Sequence, residues 1–418
     1  MTAEGFNRGE GLLRGGKRFA GMPGFVARLL SPGFQKILDL VDAGFERGSL
    51  LGHLPDGTTR MLGGRAPGFE AEVYLHDWRG LLRLTTSGSI GWYQAWEAGE
   101  WESPDLVPVF AIFGDNADTL GNLGRASGPF RWAAKLAHFF NRNSKAGSER
   151  NIQAHYDLGN DFYRQWLDPS MTYSSALYRN AEGLEAAQHA KWEALATRIG
   201  AADAVLEIGC GWGSLANFLH ERGSTVTAIS LSDEQLAWAA EHQDPAIDFR
   251  KQDYRDVGRD GTGQFDAIVS VEMVEALGQE YWPTFMDCIA RNLKPGGKAA
   301  IQYISMRDEL FDAYAKSADF IQAYIFPGGL LIRTSEFKRL AKARGLSWQD
   351  QHDFGLDYAE TLRIWRERFD DAVENGELPA GFDERFCNLW RFYLMYCEGG
   401  FRGGGIDVHQ VTLVKEGE

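Results

Sequence analysis

The spacing of hydrophobic positions shifts along the chain, and the shifts mark its parts. Over residues 23–47, Phe25, Leu29, Leu30, Phe34, Ile37, Leu38, Val41 and Phe45 recur at helical spacing and predict an amphipathic helix. The runs LLGHLPDGTTRMLGG (50–64), AEVYLHDW (71–78) and LLRLTTSGSIGWYQAW (81–96) read as short strands with turn punctuation. Pro55, Asp56 and Gly57 form a hairpin signal between two of them. Together these elements predict a small α+β accessory domain over residues 1–125.

Residues 126–150 read as a linker. Gly/Ser/Asn-rich stretches, GNLGRASG and NSKAGSERN, bracket FRWAAKLAHFFNR at 130–142. That segment sets Arg131, Lys135, His138 and Arg142 among Trp132, Leu136, Phe139 and Phe140, the pattern of a helix lying in a membrane interface. The competing reading is an interdomain helix whose aromatics pack on the core. From Asn151 onward strand and helix patterns alternate: AVLEIG, TVTAIS, IDFRKQD, FDAIVSV and KAAIQYI are strands, and SDEQLAWAAEH and EYWPTFMDCIARNL are helices. Alternation of this kind predicts an α/β domain with a doubly wound, Rossmann-like sheet over residues 151–418.

The length of 418 residues fits two cores rather than one. A net charge of -15 argues against a nucleic-acid partner, which needs many cations facing phosphates. It leaves room for a local basic patch on anionic lipid. The cysteines, Cys210, Cys288, Cys387 and Cys397, are too scattered for a disulfide framework or a metal site and fit a reducing cytosol. The first residues lack the apolar core of a signal peptide, and no apolar run is long enough to span a bilayer. A cytoplasmic protein that touches the inner face of the membrane peripherally is therefore expected.

The most informative run is VLEIGCGWGSL at 205–215. An apolar strand leads into Gly209, Gly211 and Gly213, where absent side chains let backbone approach a ligand beside the next helix N-terminus. The loop resembles that of class I S-adenosylmethionine methyltransferases. Glu207 lies two residues before the first glycine, and Asp253 follows the third strand where such enzymes hold the adenine side. The acidic residue that usually grips the ribose is missing after the second strand, so Ser230 and Gln235 are expected there.

Around this loop stand HYDLGNDFY (155–163), MTYSSALY (171–178), QDYRD (252–256), EMVEALG (272–278), YIFPGG (324–329), HDFGLDY (352–358) and YCEGGFRGGGID (396–407). In this order they resemble the cyclopropane-fatty-acyl-phospholipid synthases and their mycolic-acid-modifying relatives. LHDW and WYQAWEAGEWESPDL resemble the accessory domain of the longer bacterial members. The resemblance implies a class I methyltransferase fold that uses S-adenosylmethionine to alkylate a cis double bond in a phospholipid acyl chain, ending in a cyclopropane. It also implies Tyr173, Ser174 and Tyr254 on the cofactor and makes a homodimer through the accessory domain an expectation.

Such chemistry needs a dry apolar tunnel and aromatic faces for a carbocation, with Tyr173, Tyr178, Phe162, Tyr303 and Tyr324 as candidates. It also needs a base. In the family the base is a bound bicarbonate, and the positions matching its holders are Ser175, Glu275, Gln302 and Tyr358. Ser175 replaces a cysteine, Gln302 replaces a histidine and loses its titration, and Ala276 replaces a further histidine. These departures bear on ring closure more than on methyl transfer, and they motivate a second reading in which the product is a methylene- or methyl-branched chain. His155 is a candidate ligand or a core histidine, and Cys397 reads as structural. A lipid-binding protein with a degenerate core and a small-molecule methyltransferase are the competing classes.

Overall fold

A computed structural model describes residues 8–15, 31–121, 158–259 and 264–417. The described chain gathers into two compact units.

In the first unit the helix Ser31–Gly44 buries Phe34, Leu38 and Val41, one face at the spacing of the sequence pattern. Strands β1 (Ser49–His53) and β2 (Thr59–Gly63) form the expected antiparallel hairpin, with Gly57 at φ +83 in its turn. Strand β3 (Glu70–Leu75) runs parallel to β1, and β4 (Trp101–Glu102) completes a sheet of order β2-β1-β3-β4.

The run LLRLTTSGSIGWYQAW is not a strand. It lies in the helix Arg79–Glu97, which is broken at Gly88 with φ +59. The Asp77 carboxylate accepts from the Arg79 N–H at 2.8 Å at the helix start. The Thr85 and Thr86 hydroxyls donate to the Leu81 and Leu82 carbonyls at 3.0 and 2.8 Å, so these β-branched residues find partners inside the helix. The break at Gly88 shifts the phase of burial, and that shift imitates strand alternation.

The units also depart from the linear division at 125 and 150. Glu309–Pro327 and Ala380–Ile406, both expected in the catalytic domain, cluster with the N-terminal residues. The reason is aromatic burial. Tyr93 meets Phe320, Tyr324 and Phe392 at ring separations of 5.1, 4.8 and 5.0 Å, and Phe110 meets Phe392 at 5.2 Å. Burying each such ring stabilises the unit by roughly 1.5–3 kcal/mol. Residues 396–406 of the YCEGGFRGGGID motif belong to the same unit. A Cβ on Gly399 would come within 2.5 Å of the Phe110 Cβ, so glycine lets the helix Glu384–Arg402 lie against the helix Leu106–Asp115.

The second unit is built on strands β5 (Ala204–Ile208), β6 (Thr225–Ser230), β7 (Asp248–Lys251), β8 (Phe265–Val271), β9 (Leu293–Met306), β10 (Leu346–Asp353) and β11 (Ile406–Lys415). Their order is β10-β11-β9-β8-β5-β6-β7. Strands β5, β6, β7, β8 and β9 pair in parallel, while β10 and β11 are antiparallel. This is the doubly wound sheet expected from the sequence. Its order reverses at β5 and β8, and the crevice beyond their carboxyl ends is where such sheets bind ligands. Val205, Val226, Ala228, Ala267 and Val269 form the buried core with Leu195, Leu215 and Leu219 from flanking helices.

Candidate active site

At the end of β5 the backbone turns through Gly209, Gly211 and Gly213, at φ +84, +54 and +86. Gly213 and Gly211 have different tasks. A Cβ on Gly213 would meet the Phe249 ring at 2.8 Å, so this glycine lets the helix Ser214–Glu221 pack closely. A Cβ on Gly211 would meet nothing nearer than Gln235 Nε2 at 4.0 Å. Gly211 is therefore the position where added atoms would enter open space, as a cradle for a bound molecule requires.

Glu207, on β5, accepts from the Ala216 N–H, and its Oε2 is buried without a partner among the described residues. Burial pushes its carboxyl up to about 8, while that N–H and Lys191 favour its charge. Lys191, only 1% exposed, donates to Ser174 Oγ at 2.7 Å. Burial pushes the ammonium down to about 8, opposed by Glu272, Asp168 and Glu207. At the end of β6, Ser230 Oγ donates to Gln235 Oε1 at 3.2 Å, so the two residues expected at the ribose lie together. Ser232 caps the next helix by accepting from the Gln235 N–H. Asp253 is engaged by the Arg255 guanidinium at 2.8 and 2.6 Å, with Tyr254 buried beside it.

The four residues expected to hold an anion do not meet as a set of four. The Ser175 N–H and Gln302 Nε2 both donate to Glu272 Oε1 at 2.8 Å, and the Tyr358 hydroxyl donates to Glu272 Oε2 at 2.9 Å. Their common partner is thus Glu272, a residue the motif reading passed over. Glu275 stands apart: its Oε1 accepts from the Ile304 N–H, and its Oε2 is buried without a partner among the described residues. Burial, and then the nearby Glu272 charge, push the Glu275 carboxyl well above its ordinary value. Burial also raises Glu272, against Lys191, Gln302, Ser175 and Tyr358. One signal for Glu272 was present in the sequence: it is the first residue past β8, at the carboxyl edge where open α/β sheets place their sites.

Local folding positions each donor. Ser175 reaches Glu272 through its backbone, because its hydroxyl donates instead to the Ala176 carbonyl at 2.9 Å. Replacing a thiol by a hydroxyl therefore changes little in this contact. The helix Gly355–Glu374 docks on the same segment: the Ala176 N–H donates to Thr361 Oγ1 at 3.1 Å and the Tyr178 N–H to Asp357 Oδ2 at 2.8 Å. That docking brings Tyr358 to Glu272. Gln302, on β9, accepts through Oε1 from Gln410 Nε2 of β11 at 3.0 Å.

The aromatic candidates separate. Phe162 and Tyr303 are fully buried in the core of the second unit, and Tyr324 belongs to the first. Tyr173 and Tyr178 are partly exposed, and Tyr173 has the rings of Tyr163, Trp166 and Trp365 at 5.7, 5.4 and 5.4 Å. Cys397 also lies in the first unit, half-buried, and desolvation raises its thiol. His155 and the 130–142 segment lie outside the described residues.

Comparison with known proteins gives the family. The model of the mycolic acid cyclopropane synthetase family matches residues 143–411. The chain is 36% identical to the tuberculostearic acid methyltransferase UfaA1 of Mycobacterium tuberculosis, over 87% of this chain and 89% of that one. It is 32% identical to the cyclopropane-fatty-acyl-phospholipid synthase of Escherichia coli, over 79% and 84% of the two chains. Among solved structures, the mycolic acid cyclopropane synthase CmaA1 complexed with SAH and CTAB superposes with a TM-score of 0.58 at 28% identity, covering 64% of this chain and 98% of that one.

Proposed function

The chain belongs to the mycolic acid cyclopropane synthetase family, and on that premise we propose that it transfers a methyl group from S-adenosylmethionine to a cis double bond in the acyl chain of an unsaturated phospholipid. S-adenosylmethionine, when bound, supplies an electrophilic sulfonium methyl. Gly211 would leave it space, and we assign Glu207, Ser230, Gln235, Asp253 and Tyr254 as the residues that would hold it. The similarity to CmaA1, solved with SAH, supports this assignment.

The observation that carries the reading is the carboxylate at the end of β8, held by three donors next to the glycine loop. Methylation of an alkene leaves a cation that must lose a proton, and a fixed anion there favours both the cation and the loss. We read ring closure to a cyclopropane as the end of the reaction. A methylene- or methyl-branched chain without ring closure is the second reading, favoured by the 36% likeness to a tuberculostearic acid methyltransferase. Bicarbonate, implied by the family resemblance, does not fit these donors, because Ser175, Gln302 and Tyr358 already donate to Glu272.

A lipid substrate also requires contact with a bilayer. No helix among the described residues is long and apolar enough to cross a membrane, so we infer a peripheral approach. The test is incubation with methyl-labelled S-adenosylmethionine and dioleoyl phospholipid vesicles, followed by mass spectrometry and proton NMR of the acyl chains. Cyclopropane ring protons are expected. Vinylic methylene protons overturn ring closure, and an unlabelled lipid overturns the function itself.

A further inference from the structure

We propose that Glu272 is the proton acceptor of the reaction, a carboxylate of the chain itself standing where a bound bicarbonate was expected. The proposal rests on the alkene methylation argued above and names its base.

The geometry has three parts. First, three of the four positions matched to bicarbonate converge on this side chain, at 2.8 Å from the Ser175 N–H, 2.8 Å from Gln302 Nε2 and 2.9 Å from the Tyr358 hydroxyl. A carboxylate offers the same two-oxygen edge as bicarbonate, and here that edge is covalently supplied.

Second, the polarity of the network is fixed from outside. Arg198 Nε can only donate, and it does so to Gln410 Oε1 at 3.2 Å. Gln410 Nε2 then donates to Gln302 Oε1 at 3.0 Å, which turns the Gln302 amide nitrogen toward Glu272. A histidine could reverse such a contact by changing tautomer, whereas this glutamine is locked as a donor. Oε1 of Glu272 thus accepts from two obligate donors and has little basicity to spare. Among the described residues Oε2 accepts only from the rotatable Tyr358 hydroxyl, and it is the atom that takes the proton.

Third, the backbone is committed to this placement. Glu272 sits at φ +49, a left-handed conformation unfavourable for a residue with a Cβ, and its N–H donates to the Gln302 carbonyl at 2.8 Å. The next residue, Met273, lies 3.1 Å from where a Cβ on Gly209 would be, so Glu272 borders the cofactor loop. Lys191 faces it as a positive charge, and the buried Glu275 as a second carboxyl.

The step balances without a co-reactant. The alkene π pair bonds the methyl carbon, the S–C pair stays on sulfur, and a cation remains on the acyl chain. Glu272 Oε2 then removes a proton from the transferred carbon, and the released C–H pair closes the ring. The resulting carboxylic acid returns its proton to solvent before the next turnover.

The test uses the full chain with dioleoyl phospholipid vesicles in buffer freed of carbon dioxide. The unmodified enzyme is expected to turn over equally with and without added bicarbonate. Glu272→Gln should lower kcat by about a hundredfold or more while still binding S-adenosylmethionine in calorimetry. Glu272→Gly suits φ +49 and frees the three donors, so it should be inactive alone and regain turnover on addition of bicarbonate or acetate. A requirement for bicarbonate in the unmodified enzyme, normal turnover by Glu272→Gln, or a Glu272→Gly enzyme that binds S-adenosylmethionine yet is rescued by neither anion overturns the proposal alone. Absence of methyl transfer by the unmodified enzyme instead overturns the function on which it rests.

Discussion

The hydroxyl of Tyr358 donates to Oε2 of Glu272 at 2.9 Å, tying the helix Gly355–Glu374 to the end of β8. The bond favours the charged carboxylate, so it opposes the upward push of burial. Tyr358→Phe should therefore raise the Glu272 pKa further. Because the reaction needs Glu272 ionised, activity falls as pH drops through that pKa. The acid limb of the kcat profile should move to higher pH in the variant, with the neutral-pH rate reduced by about tenfold or more. Profiles of both enzymes, recorded with saturating substrate, check this.

Glu275 should behave oppositely. Burial raises its folded carboxyl well above the ordinary value, which favours the neutral form and weakens the fold as pH rises past the unfolded value. Glu275→Gln keeps an acceptor for the Ile304 N–H and removes that penalty. The variant should gain in Tm over the unmodified protein at about pH 8, and the gain should vanish near about pH 4, where both states bind the proton. Thermal unfolding at the two pH values is the measurement, and turnover should stay within about tenfold, unlike Glu272→Gln.

Lys191 is the buried cation among Glu207, Glu272 and Asp168. Lys191→Met leaves those carboxyls uncompensated and removes the bond to Ser174. A loss on the order of 3 kcal/mol in urea unfolding is expected. The acid limb of kcat should also move up, since Lys191 holds the Glu272 pKa down.

The glycine loop separates binding from folding. Gly213→Ala drives a Cβ into the Phe249 ring at φ +86 and should cost the fold roughly 1–3 kcal/mol. Gly211→Ala at φ +54 meets open space, so it should cost only about 1–2 kcal/mol of backbone strain while weakening S-adenosylmethionine binding disproportionately. Calorimetric Kd values and urea midpoints for the two variants distinguish these effects.

Much of the second unit was legible because its signals are local. The strands AVLEIG, TVTAIS and FDAIVSV are continuous apolar runs bounded by turn residues, and the glycine spacing of 209–213 needs no distant partner to be read. The helix Arg79–Glu97 was misread for the converse reason, because the break at Gly88 resets the burial phase. The aromatic residues of Glu309–Pro327 and Ala380–Ile406 carry no label saying which core they enter.

The site divides along the same line. From the order of residues alone came the cofactor loop, the sheet, the family and the donors Ser175, Gln302 and Tyr358. Tertiary structure alone decided what those donors hold, because hydrogen bonds between residues 97, 30 and 86 positions apart depend on how β8, β9 and the helix Gly355–Glu374 pack. A motif places Glu275 and Glu272 three residues apart on the same short segment. Only the turn at φ +49 directs one carboxylate to the three donors and leaves the other buried against the Ile304 N–H.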